Sequence, residues 1–266
     1  INPFFLSMLG SITKACAIKG FDLLVSFQQA STDWHADFED SNKADGLILL
    51  GYGDYVSYEE KLVKLLEQKT HFVLWGAEVK DMPIISVGSD NFKGGKNITQ
   101  HVIKQGKKNI AFLGSASSHA PEFYDRYKGY KEALQEHGLL ANAGIQFNAL
   151  YTEEAGYKAA TKLINSNEKF DAIFAACDLI AIGAMRALKE HNISIPEQVS
   201  VVGFDDIAIA ALTPPPLTTV KQDTKLAGEL LVNTLLDLIN GLEVSTTMIE
   251  PEVILRDSCG AKATIT

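Results

Sequence analysis

"DAIFAACDLIAIGAMRALKEHNISIPEQVSVVGFDD" (residues 171–206) carries a strand, a helix and a second strand in succession. DAIFAAC (171–177) is apolar without alternation, the pattern of a strand covered on both faces in a parallel sheet. LIAIGAMRALKEHN (179–192) then reads as a helix, and VSVVGF (199–204) as another buried strand. Two adjacent carboxylates, Asp205 and Asp206, stand where that strand should end. Three prolines (214–216) and a threonine pair follow; the prolines lock φ and remove donors, so the turn they form is stiff.

The same alternation runs outward in both directions. FDLLVSF (21–27), ADGLILLGY (44–52), HFVLWG (71–76), PIISVG (83–88), NIAFLG (109–114) and IQFNALY (145–151) read as strands. Helical patterns lie between them: FFLSMLGSITKACAIKG, YEEKLVKLLEQK with Leu62, Leu65 and Leu66 on one face, GGKNITQHVIKQG, YDRYKGYKEALQEHG, EEAGYKAATKLINSN and TKLAGELLVNTLLDLING. Gly106 and Gly138 close two of them and suit left-handed C-caps. Strand–helix alternation from end to end predicts an α/β, doubly wound architecture. The first helix has no strand before it, so the reading expects a start that is truncated.

Composition bounds the partners. With 266 residues, one large domain or two compact lobes is expected. A net charge of -9 repels phosphate backbones, so this segment by itself is a poor nucleic-acid binder. Cys16, Cys177 and Cys259 are odd in number and far apart, without metal-ligand spacing, which favours a reducing compartment and a cytoplasmic location. No apolar run reaches the length of a membrane span.

Ligands of open parallel sheets bind beyond the C-terminal ends of the strands. Those ends deliver Tyr52, Trp75, Ser89 with Asp90 and Asn91, Tyr151, Cys177 with Asp178, and Asp205 with Asp206, while Phe4 and Phe5 open the first helix. Aromatic rings mixed with single polar groups suit a sugar-like ligand. Plainer roles compete. Asp178 reads first as the cap of the helix after it, and Asp206 as a cap for IAIAAL. Arg126 by default is an exposed arginine paired with Asp125 or Glu122, and the aromatics are equally at home in a core. Cys177, at a strand end before a helix, is a candidate activated thiolate, though a packing role is favoured. No GxSxG, HExxH or Walker-type loop occurs and no histidines pair at i, i+4. No catalytic residue, metal or cofactor is assigned.

SVVGFDDIAIAALTPPPLTTVKQD, DLIAIGAMRAL, VGSDNFKGGKNITQHVIKQGKKNIAFLG, DRYKGYKEAL and INPFF…GFDLLVS together resemble the effector-binding core of LacI/GalR-type bacterial transcriptional regulators, in the right order over nearly the whole chain. The resemblance implies a periplasmic-binding-protein-like type I fold. Two doubly wound parallel-sheet lobes are expected, 1–89 plus 222–250 and 90–221 plus 251–266, joined by three crossovers. It implies that Asp205 contacts sugar hydroxyls, that Arg126 clamps them, and that Gln222 faces the cleft. Phe4, Phe5, Tyr52, Trp75, Ser89, Glu122 and Tyr151 are expected to line the pocket. Relatives usually carry Asn where this chain has Cys177, so that wall departs from the pattern. The implied protein is not an enzyme: a small-molecule effector, expected to be a carbohydrate, controls operator binding by a helix-turn-helix domain outside this chain, in a homodimer without membrane contact. The alternative is a periplasmic sugar-binding protein of a transport system.

Overall fold

The computed structural model describes residues 2–26, 43–51, 55–79 and 82–260. The chain forms two compact units, Pro3–Ser89 with Asp223–Ile249, and Asp90–Gln222 with the chain from Glu250 on. It passes from one unit to the other at three points.

In the first unit, α1 (Pro3–Lys19) starts on a proline, whose fixed φ and missing N–H suit a first helical position. Phe4, Met8, Ile12, Ala15 and Cys16 recur at helical spacing on its buried face. Gly20 ends it at φ +77, and the N–H of Phe21 donates to the Cys16 carbonyl. The unit's sheet is parallel, in the order β1 (Leu47–Leu50), β2 (Phe72–Trp75), β3 (Ser86–Ser89), then a short strand at Thr247–Ile249. Between β1 and β2 runs α2 (Tyr55–Glu67), whose Leu62 and Leu65 are fully buried against Phe72 and Leu74.

The second unit carries α3 (Asn91–Lys104), β4 (Ile110–Leu113), α4 (Pro121–Glu136), β5 (Gln146–Phe147), α5 (Glu153–Ile164), β6 (Ala172–Ala175), α6 (Asp178–Glu190), β7 (Ser200–Val202) and β8 (Thr219–Lys221). Its main sheet is parallel in the order β5-β4-β6-β7. The chain then returns through α7 (Thr224–Ile239) and β9 (Thr247–Ile249) of the first unit. Last comes β10 (Glu252–Ile254), which pairs antiparallel with β8. Strands β4, β6 and β7 are buried on every residue, as their unbroken apolar runs predict. Phe112, Phe174 and Phe204 are fully buried in this core, each contributing roughly 1.5–3 kcal/mol by leaving water. Both units are α/β, each built on a parallel sheet.

Helices α3 and α4 close on glycine. A Cβ on Gly95 of α3 would run into the backbone of Arg126, and one on Gly129 of α4 into the carbonyl of Phe92. The GG pair of NFKGGKN therefore sets the distance at which α4 presents Arg126.

Two expectations need correction. FDLLVSF is not a strand over the described residues 21–26. Phe21, Leu24 and Val25 are exposed there, and no described strand lies beside them. An apolar, β-branched run becomes a strand only where a ladder partner exists. The expected strand at 145–151 is regular only over Gln146–Phe147. The short strands at 247–249 and 252–254 were not predicted; three residues carry too little periodicity to show.

Candidate functional site

The C-terminal ends of β4, β5, β6, β7 and β8 lead into loops that bring Glu122, Arg126, Tyr151, Cys177, Asp205 and Gln222 to one side of the second unit. Arg126, in the second turn of α4, is buried. Its Nε donates to Oδ1 of Asn91 at 2.8 Å and its Nη1 to the carbonyl of Ala176 at 2.6 Å. The guanidinium lies over the Phe204 ring, 3.8 Å from its centre, and 5.3 Å from the centre of the Phe123 ring. Asp205 stands opposite, 3.5 Å from Nη1. That separation makes an ion pair but not a hydrogen bond. Gln222 Nε2 donates to Asp205 Oδ1 at 2.7 Å. Arg126 is therefore not the exposed, Asp125-paired side chain that statistics favour; Asp125 pairs with Lys128.

Burial pushes the Asp205 carboxyl up to about 6, against the pull of Arg126 and the Gln222 hydrogen bond. Asp178 is buried as well; burial, with the Asp205 charge adding to it, holds its carboxyl well above the usual range. Asp178 does not cap its own helix. The cap position of α6 is Cys177, and Asp178 sits one residue too far in to reach the first free N–H groups. Its carboxylate instead accepts from the backbone N–H of Ile207 at 2.9 Å and from the Thr219 hydroxyl at 2.5 Å. This ties the loop after β7 and strand β8 to α6, which fixes Asp205 between them. Asp206 does not cap 208–212 either. It turns away to Arg256 at 2.6 Å, so the adjacent acids face different partners.

Tyr151 stacks on Phe123 at 4.7 Å and stays 37% exposed, in a left-handed backbone conformation of φ 49. Asp205 (φ 119) and Asp206 (φ 54) are left-handed too. Non-glycine residues hold such conformations only where the surrounding structure enforces them, which is common at binding sites. The Cys177 thiol is 1% exposed, and burial, with the nearby Asp205 charge, pushes it far up; an activated thiolate is ruled out.

In the first unit, Phe4 meets Phe5 edge-on at 5.4 Å and Trp75 at 6.0 Å. The Phe5 ring covers Gly51. Ser89 is buried at the end of β3. Tyr52 lies outside the described residues. Sequence reasoning missed Phe123, Phe204 and Asn91 as partners of Arg126. Phe123 was within reach of it, being three residues before Arg126 on the same helical face. Among the described residues no group of three His, Cys, Asp or Glu could hold a metal ion, and no helix is long and apolar enough to cross a membrane.

A parallel-sheet α/β unit thus carries a buried Arg–Asp pair at its strand ends. Comparison with known proteins gives the family. The model of the family described as "Periplasmic binding protein-like domain" matches residues 99–259. The HTH-type transcriptional regulator RegA of Clostridium saccharobutylicum is 34% identical over 74% of this chain and 60% of its own length. The HTH-type transcriptional repressor PurR of Histophilus somni (strain 2336) is 27% identical over 97% of this chain and 78% of its own. The solved complex of the transcriptional regulator CelR with cellobiose is 27% identical, with a TM-score of 0.88 over 97% of this chain and 79% of that one. The chain belongs to the periplasmic binding protein-like domain family, as the effector-binding core of a LacI-type transcriptional regulator. It spans 60% of the length of RegA. These relatives are transcriptional regulators, not enzymes.

Proposed function

We propose that this core senses a small carbohydrate, held at the Arg126–Asp205 site. Its differential affinity for two states of the regulator would control operator binding. The observation that carries the reading is the half-used pair itself. Arg126 has committed Nε and Nη1, and Asp205 has committed Oδ1. Nη2 and Oδ2 have no hydrogen-bond partner among the described residues. A donor beside an acceptor, next to the Tyr151 and Phe123 rings, matches hydroxyls carried on a C–H face. The reading also assigns Phe4, Phe5, Trp75, Ser89, Glu122, Cys177 and Gln222 to ligand contact, and takes the regulator to act in the cytoplasm as a homodimer on operator DNA. The cellobiose seen with CelR supports a sugar.

Isothermal titration against a panel of sugars, nucleosides and nucleotides tests the proposal. Saturable binding by a sugar, weakened in Arg126→Ala, is expected. Binding by a nucleotide with no response to any sugar would remove the carbohydrate assignment. Light scattering of the purified chain checks the dimer.

A further inference from the structure

We propose that Arg256 is a positioning residue of the effector site, holding the Asp205–Asp206 turn in the backbone conformation that brings Asp205 to Arg126. The inference rests on the reading of Asp205 as an effector contact and adds to it a residue from a distant part of the chain. The turn after β7 needs holding. Asp205 and Asp206 are consecutive non-glycine residues at φ 119 and φ 54. Each is strained, because its Cβ crowds the backbone, and such strain persists only where neighbouring groups offset it. Every residue of the turn is tied. The N–H of Asp205 donates to the Val220 carbonyl at 2.7 Å, and that of Ile207 to the Asp178 carboxylate at 2.9 Å. Between them, Asp206 Oδ1 accepts from Nη2 of Arg256, 50 residues away in sequence, at 2.6 Å.

Arg256 is itself anchored at both ends. Its Nη1 donates to the Leu217 carbonyl at 2.8 Å. Its backbone N–H donates to the Thr218 hydroxyl at 2.8 Å, and that hydroxyl donates to its carbonyl at 2.9 Å. Two residues on, the Ser258 hydroxyl accepts from the Thr218 N–H at 2.8 Å and donates to the Val201 carbonyl at 2.6 Å. The segment after β10 is thus stitched to β7 and to the residues before β8, and it carries the guanidinium on fixed backbone. Both side chains of the Arg256–Asp206 pair are only 18% exposed, so water screens the pair weakly. Without Arg256 the Asp206 carboxylate is left half-buried and uncompensated. It regains water by turning outward, the backbone relaxes to negative φ, and Asp205 swings away from Arg126 and Gln222.

A carboxyl titration that needs no effector tests this. Isotope-labelled aspartate is followed by NMR in wild type, Arg256→Ala, Asp206→Ala, Asp206→Gly and the double variant Arg256→Ala with Asp206→Gly. Each is first shown to be folded by circular dichroism, and the Asp205 signal is identified by its loss in Asp205→Asn. Burial places the wild-type midpoint near 6. In Arg256→Ala and Asp206→Ala it should fall below about 5, as Asp205 is released to water. Glycine adopts φ 54 without strain, so the double variant should recover the wild-type midpoint, a rescue that a merely stabilising role for Arg256 would not give. A midpoint that stays near 6 in both alanine variants overturns the inference. So does one that falls and is not recovered by glycine. Should Arg256→Ala fail to fold, Asp206→Gly against Asp206→Ala decides, with Asp205 held in the first and released in the second. Isothermal titration with cellobiose, glucose and ribose reads the consequence: a sugar bound by wild type should bind Arg256→Ala at least ~10-fold more weakly. Unchanged sugar affinity beside a fallen midpoint leaves the positioning in force and removes Asp205 from the effector site.

Discussion

Asp205 faces Arg126 across the site, and its titration is a direct check on the geometry. Its carboxyl rises from 3.8 to about 6 in the folded protein. Between those values the folded chain holds a proton that the unfolded chain has released, so the contribution of Asp205 to stability falls as pH rises from about 4 to about 6. Asparagine cannot titrate. The stability of wild type relative to Asp205→Asn should therefore drop by about 3 kcal/mol across that window, measured by urea denaturation at stepped pH. A difference independent of pH would mean the carboxyl is not buried as described. Arg126→Ala should lower the unfolding free energy by about 3 kcal/mol, because it leaves a buried carboxylate without its counter-ion. At this scale the sequence was only partly readable. VGFDD marked the acids and DRYKGYKEAL marked the arginine, but which carboxylate does what depended on tertiary partners. Asp178 and Asp206 both looked like helix caps, since an acid before a helix usually is one. Ile207, Thr219 and Arg256, which claim them, are up to 50 residues away in sequence.

Elements position these side chains through close helix contact. Gly129→Ala would drive a methyl group into the Phe92 carbonyl and force α3 and α4 apart. A loss of about 1–3 kcal/mol is expected, with weakened effector binding because Arg126 rides on the displaced helix. Gly138→Ala is the matched control. It has a left-handed φ of +69 and nothing within 4 Å of a Cβ, so it should cost about 1 kcal/mol in denaturant and leave binding unchanged. Equal effects on binding would separate the α3–α4 contact from the site. The helices were legible in the sequence to within about three residues at each end, from apolar spacing and, in several, a glycine stop. Strands were legible where buried on both faces, as at Ile110–Leu113 and Ala172–Ala175. The run at 21–26 shows the limit: apolar composition records a capacity for pairing, and whether a partner strand is there is decided elsewhere in the chain.

At the level of the whole molecule, a ligand that binds only the folded protein must stabilise it by mass action. At 100 times its Kd the gain is about 2.7 kcal/mol, so the midpoint of thermal unfolding should rise by several degrees in wild type. Arg126→Ala should show no rise at the same concentration; an equal rise would place the ligand elsewhere. Scanning calorimetry of each protein with and without the sugar reads this out. The most direct measurement is a crystal structure of the chain with its tightest-binding sugar. A sugar hydroxyl within about 3 Å of Asp205 Oδ2, and another oxygen within about 3 Å of Arg126 Nη2, is the predicted result. A well-ordered sugar bound elsewhere, touching neither atom, would contradict the account.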